Sequence, residues 1–245
     1  MITKVLSVGG SIIAPDKPDV DFLSGFSKMV TDYLLKNPES RLVLVAGGGA
    51  PARVYQNAYR EVAATFDGEQ KKALSFSNDD ETNNACDWIG IMATRVNAQI
   101  LKACFGPMCP ADVVTDPTKA PDVFEGRVMV AAGWKPGFST DNDAVLLAEK
   151  YGADTVVNLS NIAKVYTDDP KKNPDAKPLD KISWADFRKM VGDEWVPGKN
   201  CPFDPIASKK ASELKLSVIC AAGKDIENIR IILDGGEYFG TTIAG

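Results

Sequence analysis

Residues 41–55 read RLVLVAGGGAPARVY. Arg41–Ala46 is an unbroken run of valine, leucine and alanine behind one arginine, the pattern of a strand buried on both faces. It stops at Gly47-Gly48-Gly49, and Ala52–Ala64 continues at helical spacing. Strand, glycine turn and helix form the unit from which open parallel sheets are built. Outward from this stretch the unit recurs. Lys4–Val8 is an apolar run ending at Gly9-Gly10, and Asp21–Leu35 follows as a helix with Phe22, Phe26, Met29, Val30, Tyr33 and Leu34 on one face. Val128–Ala132 ends at Gly133, and the helix Asp143–Tyr151 ends at Gly152, a C-terminal stop. Thr155–Leu159 and Leu216–Ala221 read as strands, Trp184–Val191 and Ile206–Leu214 as helices. Trp88–Cys104 reads as a helix whose stripe is Ile89, Met92, Val96, Ile100 and Leu101. Val113–Val114 reads as a short strand, Ile229–Leu233 as a strand and Gly240–Ile243 as a closing edge strand. Ser75–Asp87 and Asp168–Ile182 are polar and read as surface loops over a site. Together these elements predict an α/β fold with a mostly parallel sheet covered on both faces.

Composition narrows the chemistry. The chain has 245 residues, 44% of them hydrophobic, enough for a full core in one domain or two fused lobes. Its net charge of −5 argues against broad nucleic-acid binding, because no basic excess covers a polyphosphate backbone. A local cluster of donors still suffices for a nucleotide. There are no histidines. Ser-His-Asp and Cys-His catalysis and histidine metal sites are thereby excluded, and reactions governed by positioning and charge, such as phosphoryl transfer, gain weight. The five cysteines form no C-x-x-C pair and read as buried, reduced thiols. MITKVLSVGG reads as a strand rather than a signal peptide, and no apolar run is long enough to span a membrane. A soluble, cytoplasmic protein with no membrane contact is expected.

In an open parallel sheet, ligands sit beyond the carboxyl ends of the strands. Four strand ends carry unusual residues. Gly9-Gly10-Ser11 and Gly47-Gly48-Gly49, the latter leading into the helix with Arg53, offer close backbone approach and amides for anions. Neither fits a P-loop or a dinucleotide fingerprint. The third loop runs Gly133-Trp134-Lys135-Pro136-Gly137-Phe138-Ser139-Thr140-Asp141. Ser139, Thr140 or Asp141 is placed to cap the next helix, and the same hydroxyls suit phosphate oxygens. The fourth pairs Ser160-Asn161 with Val165-Tyr166-Thr167-Asp168-Asp169, an aromatic beside carboxylates and hydroxyls that suits a nucleoside. Each alone is also what an ordinary turn or cap looks like. Their recurrence in one sheet is what points to phosphate.

These pieces, with KVLSVGGSIIAP (4–15), GGGAPARVY (47–55), DWIGIMATRVNA (87–98), PGFSTD (136–141), NIAKVYTDDPKKNPDAK (161–177), DPIASK (204–209) and GTTI (240–243), carry a resemblance along nearly the whole chain. The chain resembles the amino acid kinase superfamily and, within it, the archaeal-type uridylate kinases. The resemblance implies a three-layer αβα sandwich with one continuous, mainly parallel sheet. Residues 1–152 would form an acceptor lobe and 153–245 an ATP lobe. It implies transfer of the ATP γ-phosphate to UMP, with ATP and Mg²⁺ and no protein metal ligand. Gly9, Gly10 and Ser11 would hold the transferring phosphate. Gly48, Asp87 and Trp134–Thr140 (Trp134, Lys135, Pro136, Gly137, Phe138, Ser139 and Thr140) would hold the acceptor, Asp87 through its ribose hydroxyls. Gly49, Arg53, Ser160, Asn161, Tyr166 and Asp169 would hold ATP. Asp204 and Lys209 match a segment at the lobe junction, and Gly10, Ser11, Lys135 and Asp204 form the expected catalytic set. A small-molecule nucleotide partner and a homo-oligomer, dimer or hexamer, are implied as well.

Departures from that pattern bear on substrate and mechanism. Bacterial relatives carry a lysine where this chain has Ser7, and Lys135 is the expected substitute, with Lys164 as a second candidate. Lys4 starts its strand, far from the carboxyl end. Trp134, Lys135 and Phe138 stand where relatives carry threonine and histidines. Ala163-Lys164 stands where they carry Asp-Gly. Two other readings fit the scaffold: a kinase of another phosphate or carboxylate acceptor, and a non-catalytic nucleotide-binding or storage protein.

Overall fold

The computed structural model describes residues 1–74, 79–170, 172–192 and 201–245. In chain order the elements are β1 (Ile2–Val8), α1 (Gly10–Ile13), α2 (Val20–Lys36), β2 (Ser40–Ala46), α3 (Gly49–Ala64), α4 (Gly68–Ala73), α5 (Asp79–Phe105), β3 (Val128–Ala131), α6 (Thr140–Tyr151), β4 (Thr155–Ser160), β5 (Val165–Tyr166), β6 (Pro178–Leu179), β7 (Lys181–Ser183), α7 (Trp184–Val191), α8 (Pro205–Glu213), β8 (Ser217–Ala222), α9 (Ile226–Asp234) and β9 (Thr241–Ala244).

One seven-stranded sheet, ordered β3-β2-β1-β4-β8-β9-β7, runs through the whole chain, and β5-β6 form a separate two-stranded ribbon. All pairings in the large sheet are parallel except β8 with β9. The strands alternate their side chains between two cores. Leu6, Val8, Leu42, Leu44, Val128, Val157 and Leu159 meet α2, α5 and α9 on one face. Val5, Val43, Val45, Met129, Val156 and Val218 meet α6, α7 and α8 on the other. The result is the expected αβα sandwich. On α2 the expected face is the buried one, from Phe22 and Phe26 through Leu34. Each large side chain so buried contributes roughly 1.5–3 kcal/mol. Caps hold the helix starts, as where Asp19 accepts from the Phe22 amide (3.0 Å), each worth about 1 kcal/mol.

Seven expectations change. Ile229–Leu233 is not a strand but the inner face of α9, with Ile229, Ile232 and Leu233 buried at helical spacing. Its ends decide the matter. Asp225 accepts from the Asn228 amide at the start, and Gly235 closes the other end at φ +76°. Of the polar segment 75–87, residues 75–78 lie outside the described residues, and Asp79–Asp87 are the first turns of α5 rather than loop. The stripe on α5 is rotated. Ile91, Thr94, Asn97, Ala98 and Leu101 are buried, whereas Met92 and Val96 are 50% and 70% exposed. Val113–Val114 forms no strand, only a bridge from Val114 to Ala131. The strand at 241–244 is real but interior, because β7 pairs on its outer side. Of the segment 168–182, residue 171 lies outside the described residues, and the rest is loop up to the ribbon strand β6 and the edge strand β7, both of which it contains in whole or part. Cys86, Cys109 and Cys220 are buried as expected, but Cys104 is exposed and Cys201 half-buried. No described helix is long and apolar enough to cross a membrane.

Candidate active site

The chain goes from β1 outward to β2 and β3, then returns to place β4 on the other side of β1. Such a reversal opens a crevice at the carboxyl edge of the sheet. The parallel registers bring Val8, Ala46 and Leu159 level there. The Gly9 amide donates to the Leu159 carbonyl (2.8 Å) and the Gly47 amide to Val8 (2.9 Å). The first two glycine loops pack backbone on backbone. A Cβ on Gly10 would lie 1.9 Å from the Gly49 nitrogen, and Gly49, at φ +70°, has room only for a hydrogen against the Gly10 carbonyl. Only glycine fits either place. Ser11 Oγ donates to Asn161 Oδ1, joining the first loop to the fourth across the crevice. Asn97, 4% exposed on α5, donates Nδ2 to the carbonyls of Gly47 (2.8 Å) and Gly48 (3.1 Å), fixing the second loop from its α5 side.

Three amides of the third loop are anchored by side chains. The Gly133 amide donates to Thr94 Oγ1 (2.8 Å), the Trp134 amide to Asp143 Oδ2 (3.2 Å) and the Gly137 amide to Asp87 Oδ2 (3.0 Å). Gly137 sits at φ +80°, which a side chain would strain. Arg95 Nη2 approaches the Trp134 carbonyl at 3.4 Å. Ser139 is the residue that caps α6, its Oγ accepting from the Asn142 amide. Within the loop the Lys135 ammonium lies 3.9 Å from the Trp134 ring centroid and 5.0 Å from that of Phe138, the two rings being 5.2 Å apart. Attraction between the ammonium and the ring faces holds the exposed cation at the loop's surface. Pro136 and Thr140 are half-buried in the same turn.

Behind these loops three carboxylates share one region. Asp141 accepts from Ser7 Oγ (2.9 Å) and from the Asp204 amide (3.3 Å), and burial raises its pKa to about 6. Asp143 is fully buried, and that burial, with the charges of Asp141, Asp116 and Asp204, raises its pKa to about 7. Its Oδ1 has no hydrogen-bond partner among the described residues. Asp204 is the cap of α8, accepting from the Ala207 amide (2.8 Å). The same burial, together with Asp141, pushes the Cys220 thiol up to about 12, so it stays protonated.

The remaining expected residues lie around the crevice. Arg53 is exposed on α3, one turn beyond Gly49. Ser160 Oγ accepts from the Ile162 amide (3.3 Å). Tyr166 lies on the ribbon, and Asp169 stands exposed just after it. The ribbon is tied to the sheet through buried Thr241, whose Oγ1 accepts from the Val165 amide (2.8 Å) and donates to the Leu179 carbonyl. Lys164 pairs with Asp180 and covers the Phe239 ring (4.3 Å), so its charge is already engaged. Lys4 donates to the Leu233 carbonyl, away from the crevice. Lys209 is exposed on α8. Sequence reasoning missed Thr94, Arg95, Asn97, Asp141 as an acid of raised pKa, and Asp143. The available signal was polar residues recurring along an apolar helix at 94 and 97, and two aspartates in a first turn.

A family comparison matches residues 3–221 to the Amino acid kinase family. The chain is 34% identical to the uridylate kinase of Pyrococcus abyssi over 241 residues, covering 98% of each. It is 33% identical to that of Methanospirillum hungatei over 247 residues, 99% of this chain and 95% of the relative. The crystal structure of uridylate kinase from Archaeoglobus fulgidus superposes with a TM-score of 0.78 at 31% identity, covering all of both chains. The UMP kinase structure from Bacillus anthracis shares the fold, with a TM-score of 0.69 at 19% identity. The chain therefore belongs to the amino acid kinase family, aligned end to end with its archaeal uridylate kinases.

Proposed function

We propose that this protein is an ATP-dependent kinase that transfers the γ-phosphoryl group of ATP to UMP, giving UDP. The observation that carries this reading is the meeting of the glycine loops at the β1–β4 reversal, in a chain that matches uridylate kinases from end to end. In this reading residues 1–152 hold the acceptor and 153–245 hold ATP, across one sheet. The acceptor phosphate is anionic near neutral pH, so its oxygen attacks the γ-phosphorus in line without a strong base. The amides of Gly10, Gly48 and Gly49 and the Ser11 hydroxyl face the charge spread over the equatorial oxygens, and Gly9 holds the first loop in place through its bond to Leu159. Lys135 supplies the cation, carried on the loop that holds the acceptor. Asp87 fixes that loop through Gly137 and offers its other oxygen to a ribose hydroxyl. Asn161, Tyr166 and Asp169 serve the ATP nucleoside and phosphates, with Arg53 and Ser160 beside them. Asp204 acts through Asp141 and the start of α8.

Mg²⁺ belongs to the ATP phosphates, where it keeps several waters. The donor set suits this: the half-buried Asp141 and the buried Asp143 hold their protons up to about pH 6 and 7 and are poor ligands, whereas the loop amides suit anionic oxygens. A cytoplasmic enzyme follows from a soluble nucleotide substrate. Assembly with further copies of the chain is supported by the apolar side chains left exposed on α3 and α5. The deciding experiment is ADP release with Mg-ATP across nucleoside monophosphates, amino acids and acyl derivatives. Turnover specific to UMP is expected. Turnover only with a carboxylate, or ATP binding with no turnover, would overturn the reading.

A further inference from the structure

We propose that Asp143 is the positioning residue of the acceptor loop, gripping the Trp134 amide with a carboxylate whose charge state sets how firmly that loop is held. The inference deepens the UMP kinase reading and rests on it for the identity of the acceptor.

The geometry is specific. Asp143 lies in the first turn of α6 with no exposed surface. One oxygen accepts from the Trp134 amide at 3.2 Å, and the other has no hydrogen-bond partner among the described residues. A buried carboxyl so placed has no comfortable state. Ionised, it is an uncompensated charge. Protonated on the empty oxygen, it buries an unused donor. Its one bond goes to the residue that begins the acceptor loop. The other two anchors of the loop end on a threonine hydroxyl and on the half-buried Asp87. Asp143 is the buried ionisable anchor, and the residue whose amide it holds, Trp134, is part of the Trp134–Lys135–Phe138 cluster that singles out this loop.

The charged groups around it are mostly of its own sign. Asp141 faces it from α6, Asp116 from the turn before Pro117, and Asp204 from the start of α8. Strands β1 and β2 present Val5, Val43 and Val45 to α6, with Arg41 at the far end of β2 over Phe124. Arg95 and Lys135 reach the Trp134 carbonyl and ring, not the carboxylate. These acids and the burial bring ionisation close to neutrality. As pH rises through that range, the bond to Trp134 becomes charge-assisted and strengthens. The loop tightens and the acceptor binds better.

Two measurements test this. The first needs no substrate: the Trp134 backbone amide proton of the ligand-free protein, followed by ¹⁵N NMR from pH 5.5 to 8.5. A titration with a midpoint near neutral is expected, absent in Asp143→Asn. The second is KM against pH for both proteins. The UMP phosphate titrates equally in each, so it cancels. KM for UMP is expected to fall about fivefold more in the wild type than in Asp143→Asn between pH 6 and 8, the ratio of a charged to a neutral hydrogen bond. KM for ATP should show the same pH dependence in both. A flat Trp134 amide in the wild type overturns the inference, whether or not the variant folds. So does a titration that survives in Asp143→Asn, or an identical KM profile for UMP. Failure of the wild type to phosphorylate UMP at all sinks the kinase reading instead, and the amide titration then still decides the role of Asp143.

Discussion

Two side chains concentrate the chemistry that residue-level reasoning reaches. Lys135 was legible as a cation in a glycine-flanked loop, but its seat over two neighbouring aromatic rings was not. If it supplies the charge that Ser7 does not, Lys135→Ala lowers kcat by at least tenfold, about 1.4 kcal/mol. Unchanged steady-state kinetics would remove it from the mechanism. Asp143 carries a separate consequence for stability. Its pKa is raised from 3.8 unfolded to about 7 folded, so the folded state binds the extra proton between those values. The stabilisation is present in full below pH 4 and is lost as pH rises through 7. At 1.36 kcal/mol per unit, that loss is on the order of 4 kcal/mol. Urea unfolding of the wild type is expected to show it between pH 4 and 8. Asp143→Asn should lack that component, and parallel curves for the two proteins would contradict the assignment. Ionisation thus weakens the fold while strengthening the grip on Trp134, an exchange of stability for function.

Among elements, α5 and α9 show where pattern reading succeeds and where it stops. Both apolar runs were visible. On α9 three isoleucines in a short stretch suit strand or helix alike, and only the Asp225 cap and Gly235 stop decide. On α5 hydropathy selected Met92 and Val96, yet the inner face holds Thr94 and Asn97. Those polar residues are buried because the glycine loops need partners for their carbonyls and amides. Asn97 donates to the carbonyls of both Gly47 and Gly48. Asn97→Ala would remove the side-chain donor from the buried Gly47 carbonyl, at about 1–3 kcal/mol. Chemical denaturation should register that loss, and KM for both nucleotides should rise together, since the loop touches both. A rise for one nucleotide only would mean that Asn97 does not hold the loop as a unit.

For the whole molecule, the sheet order turns separate turns into one site. Trp88, Met92 and Val96 recur every fourth residue on the outer face of α5, 40%, 50% and 70% exposed, beside Val54, Tyr55 and Val62 of α3. Such a surface is costly in water and suits a second copy. Val96→Glu should reduce the mass measured by light scattering to that of one chain. A wild type that is already monomeric, or a variant that assembles normally, would refute the proposal. Most of the strands and helices, the parallel sheet, the glycine-rich turns and the missing histidines were determined by the sequence itself. They depend on local backbone preference, on alternation of apolar residues and on composition, each readable within a few positions. Which turns meet, which carboxylates lose water and which side chain holds which loop were decided only by the tertiary structure. Gly10 lies against Gly49, Ser11 reaches Asn161, and Asp143 reaches Trp134 because parallel registers set distant strand ends level. Burial, which sets their charge and their need for partners, exists only once those layers close.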